Sequence, residues 1–475
     1  MKKERNIYRY QSFAKLRYWL LITLIITITV SCKKNFLDDK PRTDIVVPET
    51  LKDCQQLLDN YIIMNETPQL GELSADNFYL LPSFWNNLLN NHEKNGYIWA
   101  KDLFVSQKNI PDWNIPYKQV LYSNVVLETV EKISPSTDQN EWKRIKGSAL
   151  FTRAFAFYNI AQLFALPYNA ATATKDPGIP LRLNSDINEK VIRSTVQQTY
   201  DKIIEDLNSA SELLPDTIHL AKRNRPSKPA ALALLSRVYL TMGKYDKSKE
   251  AADAALQLYN LLLDYNNPLE VRLQPPVSPF PRSNKELIYY AQLYSTSNVL
   301  QAFTFLDVIV DSTLYQSYDP NDLRSLAFYT TLFTGFPNIR QSYNGTIYPF
   351  TGLAVDELYL TRAECNAWEG KITEAMADLN TLLETRWITG TYTPFTASTQ
   401  TEALTIILRE RRKELAFRGL RWTDLRRLNK TDFKITLQRK INNDIHTLTP
   451  GSKNWVLPIP PDVISFSEII QNDRE

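Results

Sequence analysis

The chain is poor in the residues on which most enzyme sites are built: three histidines, three cysteines and twelve glycines in 475 residues. His92, His219 and His446 stand far apart, none in an HxxxH spacing or beside a cysteine pair, so no metal-ligand motif is present. No GxSxG elbow waits for a histidine-dependent triad, and the three histidines read as surface or loop residues. Scarce glycine disfavours phosphate-cradling loops. Fifty-two acidic residues leave room in principle for a glycosidase-type carboxylate pair. The adjacent acids Asp38-Asp39 and Asp356-Glu357 read instead as a solvated tether and a helix N-terminal turn. No catalytic or metal-binding residue and no cofactor is assigned.

Basic excess is missing too. The first 31 residues hold six of the 55 Lys and Arg and one of the 52 acids, so the remainder carries 49 against 51, a formal charge of −2. With no Lys/Arg cluster interleaved with aromatics, nucleic-acid binding is excluded. There is no apolar run of about 20 residues, the length a spanning helix needs. The run from Trp19 to Val30 follows Lys2, Lys3, Arg5, Arg9, Lys15 and Arg17 and stops at Ser31-Cys32. That succession reads as an export signal over residues 1–31, cleaved before a cysteine that is then acylated. Cys32 is the expected lipid site. Cys54 and Cys365 remain, too few for a disulfide framework, and read as buried thiols.

Aromatics are abundant: 25 tyrosines, 20 phenylalanines and 9 tryptophans. Residues 32–45 form a polar tether. Over 46–265 apolar residues recur at helical spacing from Leu51, with stripes through Trp113–Ile133, Trp142–Leu166 and Thr195–Leu214. Two stretches look like copies of one unit, Ala230–Leu256 around Gly243 and Leu358–Leu383 around Gly370. Each reads as a helix, a glycine turn and a second helix, the tetratricopeptide pattern. The expected fold is mainly α, a scaffold of such pairs with long irregular insertions and minor β. Residues 266–350, with Pro275, Pro276, Pro279 and Pro281 and the β-prone run Leu287–Tyr290, form the longest insertion, and residues 351–475 hold the second copy and the C-terminal motif. Insertions of this length are usually functional, and its aromatic content argues against disorder.

The densest charged motif runs from Arg409 to Arg427. Glu410 with Lys413 and Glu414 with Arg418 have the spacing to brace a helix, while Leu415, Phe417, Trp422 and Leu425 supply core surface. Interleaved acids argue for scaffold over anion binding. Glu410-Arg411-Arg412-Lys413-Glu414-Leu415-Ala416-Phe417, followed by Gly419, Arg421-Trp422 and Asp424–Arg427, closely resembles the signature of the SusD/RagB family of outer-membrane lipoproteins. Leu457-Pro458-Ile459-Pro460, the Glu357–Glu364 helix, Cys32 with Asn35–Asp38, and Trp113, Tyr117 and Asn124–Glu128 add to the likeness. The resemblance implies a helical fold, lipid attachment to the outer membrane at the cell surface, and delivery of oligosaccharide or peptide to a SusC-like TonB-dependent transporter. It does not fix the ligand residues.

Those are sought among flat aromatics near Asn, Asp and Arg, the chemistry that holds sugar rings and their hydroxyls. Candidates are Asp76-Asn77-Phe78-Tyr79, Trp85-Asn86-Asn87, Tyr97 and Trp99 in the early loop, with Arg340 and Tyr343 from the insertion. Trp85, set between Pro82-Ser83 and Asn86-Asn87, reads as the most exposed. Two other functions fit the composition: a tetratricopeptide-like scaffold that grips other proteins, and a surface glycosidase.

Overall fold

The structure is a computed structural model that describes residues 48–136, 138–274, 278–294, 299, 307–331, 335–340 and 342–475. Cys32, the tether and the export segment lie outside the described residues, as do Pro275 and Pro276.

Helices dominate, and local signals start them. Thr50 and Asp53 close a capping box on α1 (Leu51–Leu58). Pro111 sits at the start of α2 (Pro111–Val130), Asp138 caps α3 (Gln139–Phe164), and Thr195 with Gln198 boxes α4 (Val196–Leu213). α3 is buried on every side from Gly147 to Tyr158, as a central helix must be. Its Arg153 pairs with Asp206 of α4 at 2.7 Å and donates to Asn124 of α2 at 3.0 Å, locking three helices together.

The two repeat-like stretches form the expected pairs, α5 (Lys228–Thr241) with α6 (Tyr245–Leu258), and α7 (Val355–Trp368) with α8 (Ile372–Glu384). Gly243 and Gly370 take φ of 72° and 75°, which a side chain would strain. α6 packs directly on α7 although about a hundred residues separate them, so the array α2 to α8 runs unbroken in space. Tyr245 stacks on Trp368 at 5.1 Å across this junction, and Arg362 of α7 bridges Asp253 of α6 and Asp378 of α8. The intervening chain forms loops with short strands, among them Leu287–Tyr289, buried with Tyr289 against Phe151 and Phe155 of α3.

Next come α9 (Gln400–Glu414) and α10 (Arg421–Leu428). Glu410 and Lys413 pair at 3.1 Å as their spacing predicts. Glu414 and Arg418 do not: α9 ends at Glu414, Phe417 turns to φ 60°, and each partner is taken elsewhere, Glu414 by Arg324 and Arg386, Arg418 by Asp356. Cys54 and Cys365 are buried free thiols. His219 is exposed, but His92 is buried against Gln107, a correction to its expected surface place. No described helix is long and apolar enough to cross a membrane.

Candidate ligand face

Residues 76–86 build an exposed corner. β1 (Phe78–Leu80) pairs antiparallel with β2 (Val308–Val310), Tyr79 opposite Ile309. Alternation along β1 sends Phe78 and Leu80 into the core and leaves Tyr79 38% exposed. Leu80 N–H donates to the Tyr97 hydroxyl at 2.8 Å, which fixes β1 from below. The insertion reaches this corner through β2, so the early loop and the insertion do meet, at Tyr79.

Trp85 is not in a loop. Pro82 starts a short helix, Pro82–Asn86, on which Trp85 is half-buried and Asn86 exposed. The indole N–H donates to Lys94 O at 3.0 Å, and the Lys94 ammonium stands 4.6 Å from the ring centroid while donating to Asn86 O. One side of the indole is therefore occupied by a cation.

Asp76 is structural in its contacts. Arg421 grips it with both oxygens at 2.7 and 2.9 Å, and Arg412 donates to its backbone carbonyl at 2.7 Å. Burial would raise this carboxyl, yet the two guanidiniums hold it well below the usual carboxylate range. Asn77 is fully buried against Glu72. Burial pushes Glu72 up to about 7 even though Asn77 and Gly419 N–H donate to it.

Of the remaining candidates, Tyr97, Trp99 and Tyr343 sit in the core and Arg340 is half-buried. Tyr97 and Trp99 are 1% and 5% exposed, with Arg439 stacked on both rings, 3.7 and 4.7 Å from their centroids. Tyr343 is buried between Phe280 and Phe350, under Arg418, with its hydroxyl donating to Glu286. Arg340 donates to the carbonyls of Leu273 and Leu326 at 2.6 and 2.8 Å, which ties a loop and a short helix of the insertion together. Arg340 and Tyr343 thus lie together, lining one small cavity with Phe417, apart from the exposed corner at Tyr79. At the exposed corner the structure leaves Tyr79, Trp85, Asn86 and Asn87 at the surface.

Asp311, on the edge of β2, escaped the sequence reading. It caps the short helix Ser312–Gln316 and receives Arg412 at 3.2 Å. The only local signal was its N-cap position before Ser312-Thr313. A separate groove of ≈ 750 Å³ lies between α2 and the C-terminal segment, lined by Trp113, Tyr117, Ile187, Ile192 and Phe466. It holds none of the candidate residues.

Comparison with known proteins fits this architecture. Residues 35–240 match the family described as "Starch-binding associating with outer membrane", and residues 282–472 match the SusD family. A SusD-like protein of Formosa agariphila is 26% identical over 413 residues, covering 71% of this chain and 75% of the relative. A SusD superfamily protein from Bacteroides thetaiotaomicron superposes with a TM-score of 0.72 at 23% identity, over 90% of this chain and 100% of the other. A laminarin-binding SusD-like protein superposes with a TM-score of 0.60 at 18% identity, over 89% and 98%. At these identities the solved structures establish a shared fold.

Proposed function

We propose that this chain, which belongs to the SusD/RagB family, captures an oligosaccharide at the cell surface and passes it to a SusC-like TonB-dependent transporter without altering it. The observation that carries the saccharide reading is the exposed ring of Tyr79 on the strand pair, with Trp85 and Asn86 on the short helix that follows β1. A sugar's C–H face stacks on such a ring, and its hydroxyls need fixed acceptors and donors at the rim. Such a site asks for a wall and needs no nucleophile. The family description and the laminarin-binding neighbour favour a glycan over a peptide.

Delivery requires the domain to be tethered at the outer membrane, which is the part Cys32 is inferred to play. Comparing fatty-acid-analogue labelling of wild type and Cys32→Ala tests it: label is expected in wild type alone, and equal labelling of both removes the anchor. Co-purification of the detergent-extracted protein with a large β-barrel tests the transporter partnership. A second reading, a scaffold that grips another protein, draws on Ile187, Ile192 and Phe466, which are 68%, 70% and 91% exposed around the groove on α2. Calorimetry against a panel of oligosaccharides and peptides separates the two. The saccharide reading expects heat of binding from at least one oligosaccharide; heat from none leaves the scaffold.

A further inference from the structure

The strand pair that displays Tyr79 also displays an acid. Side chains two residues apart on a strand share a face, and diagonal neighbours across an antiparallel pair stay within reach of long side chains. Tyr79 is opposite Ile309, so Asp311 falls diagonally from Tyr79 on the same face. Its own N–H donates to Asn77 O at 2.8 Å, extending the ladder by one step and fixing its backbone.

The Asp311 carboxylate is used unevenly. Oδ1 accepts from Leu314 N–H at 3.0 Å, from Arg412 Nη2 at 3.2 Å and from the Thr313 hydroxyl. Oδ2 accepts no hydrogen bond from a described residue, and the side chain is 29% exposed. One oxygen is clamped and the other is presented to solvent beside an aromatic ring. Asp76, Asp311, Arg412 and Arg421 sum to no net charge, but Asp76, Arg412 and Arg421 are turned to one another, 21%, 18% and 10% exposed. The least covered charge of the cluster is therefore negative.

We propose that Asp311 is the hydroxyl-reading group of the ligand face, accepting through Oδ2 from a sugar stacked on Tyr79, and that the face selects neutral over acidic oligosaccharides. The assignment rests on the saccharide reading above. A sugar hydroxyl donating to a fixed carboxylate makes a strong, charge-assisted bond. A uronate or sulfate in the same place brings a like charge against it, while the cations of the corner, Arg412 and Lys94, are already engaged by Asp76, Asp311 and Asn86 O.

The test uses the mature protein and two probe sets in calorimetry: neutral laminarin, cello-, malto- and xylo-oligosaccharides, and acidic oligogalacturonates and alginate oligosaccharides. Binding is expected from the neutral set, with the acidic set at least tenfold weaker. Asp311→Asn turns the free acceptor into a donor while keeping the Leu314 cap, and is expected to weaken the neutral ligand at least tenfold at unchanged melting temperature. Asp311→Ser, which also keeps a cap, is expected to show the same loss. Acidic ligands that bind as tightly, or both variants binding like wild type, overturn the assignment. If Tyr79→Ala abolishes binding and the Asp311 variants do not, the face stands and Asp311 is not its reader. If neither set binds, the saccharide reading falls and this assignment with it.

Discussion

The motif from Glu410 to Arg427 and the corner around Tyr79 draw on the same residue types, arginines, acids and aromatic rings, and use them in opposite ways. In the motif the buried acids and arginines are paired with one another or with carbonyls inside the protein. Arg324, with no exposed surface, bonds Asp322 and Glu410 at 2.6 Å and Glu414 at 3.1 Å. Arg427 joins Glu364 and Asp424, Arg411 joins Asp424 at 2.9 Å, and Trp422 packs on Trp455 at 4.6 Å. At the corner, Tyr79, Asn86 and one oxygen of Asp311 remain open to solvent. Internal partners make a residue scaffold, and their absence on a fixed backbone makes it available to a ligand.

Breaking the scaffold side should give the largest effects. Arg324→Ala takes the shared cation from three buried carboxylates and leaves them to Lys413 and Arg386, and a loss of about 3–5 kcal/mol is expected, read by chemical denaturation. Trp422→Ala removes a ring that is 1% exposed and should cost about 3–5 kcal/mol. Either variant melting like wild type would mean that the motif does not hold the fold.

Glu72, at the boundary of the two regions, gives a pH test. Its folded carboxyl is raised from 4.5 to about 7, so its contribution favours folding below pH 4.5 and is lost as pH rises through 7. The stability of wild type minus that of Glu72→Gln should fall by about 3 kcal/mol between pH 4 and pH 8. A difference independent of pH would show that Glu72 keeps an ordinary carboxyl.

Trp85 lies between the two behaviours. Half-buried and bonded to Lys94 O, it should cost about 1 kcal/mol of stability when changed to Ala. As part of the wall it should also weaken ligand binding by about 1–3 kcal/mol. Stability loss with unchanged affinity would move it to the scaffold.

Local signals made the helices legible: stripes of apolar residues, caps such as Thr195 with Gln198, and glycines 243 and 370 at the turns. The motif was legible as scaffold because its acids interleave with its bases. What pairing across the chain decides was not. Glu414 looked set for Arg418 four residues on and instead meets Arg324, 90 residues away. Tyr97 and Trp99 read as displayed rings because nothing nearby foretells Arg439 packing on them from more than 330 residues away. Asp311 drew no notice because its importance comes from pairing with Asn77, more than 200 residues earlier.

The central claim, that the corner is a ligand wall and not a piece of core, is tested most directly by Tyr79→Ala. Wild type and variant are titrated with the tightest oligosaccharide of the panel, and both are melted in the same buffer. The account predicts affinity lower by tenfold or more, with melting temperatures within about 2 °C, because the ring is 38% exposed and little of the core rests on it. Unchanged affinity, or an affinity lost together with a large drop in melting temperature, would contradict it.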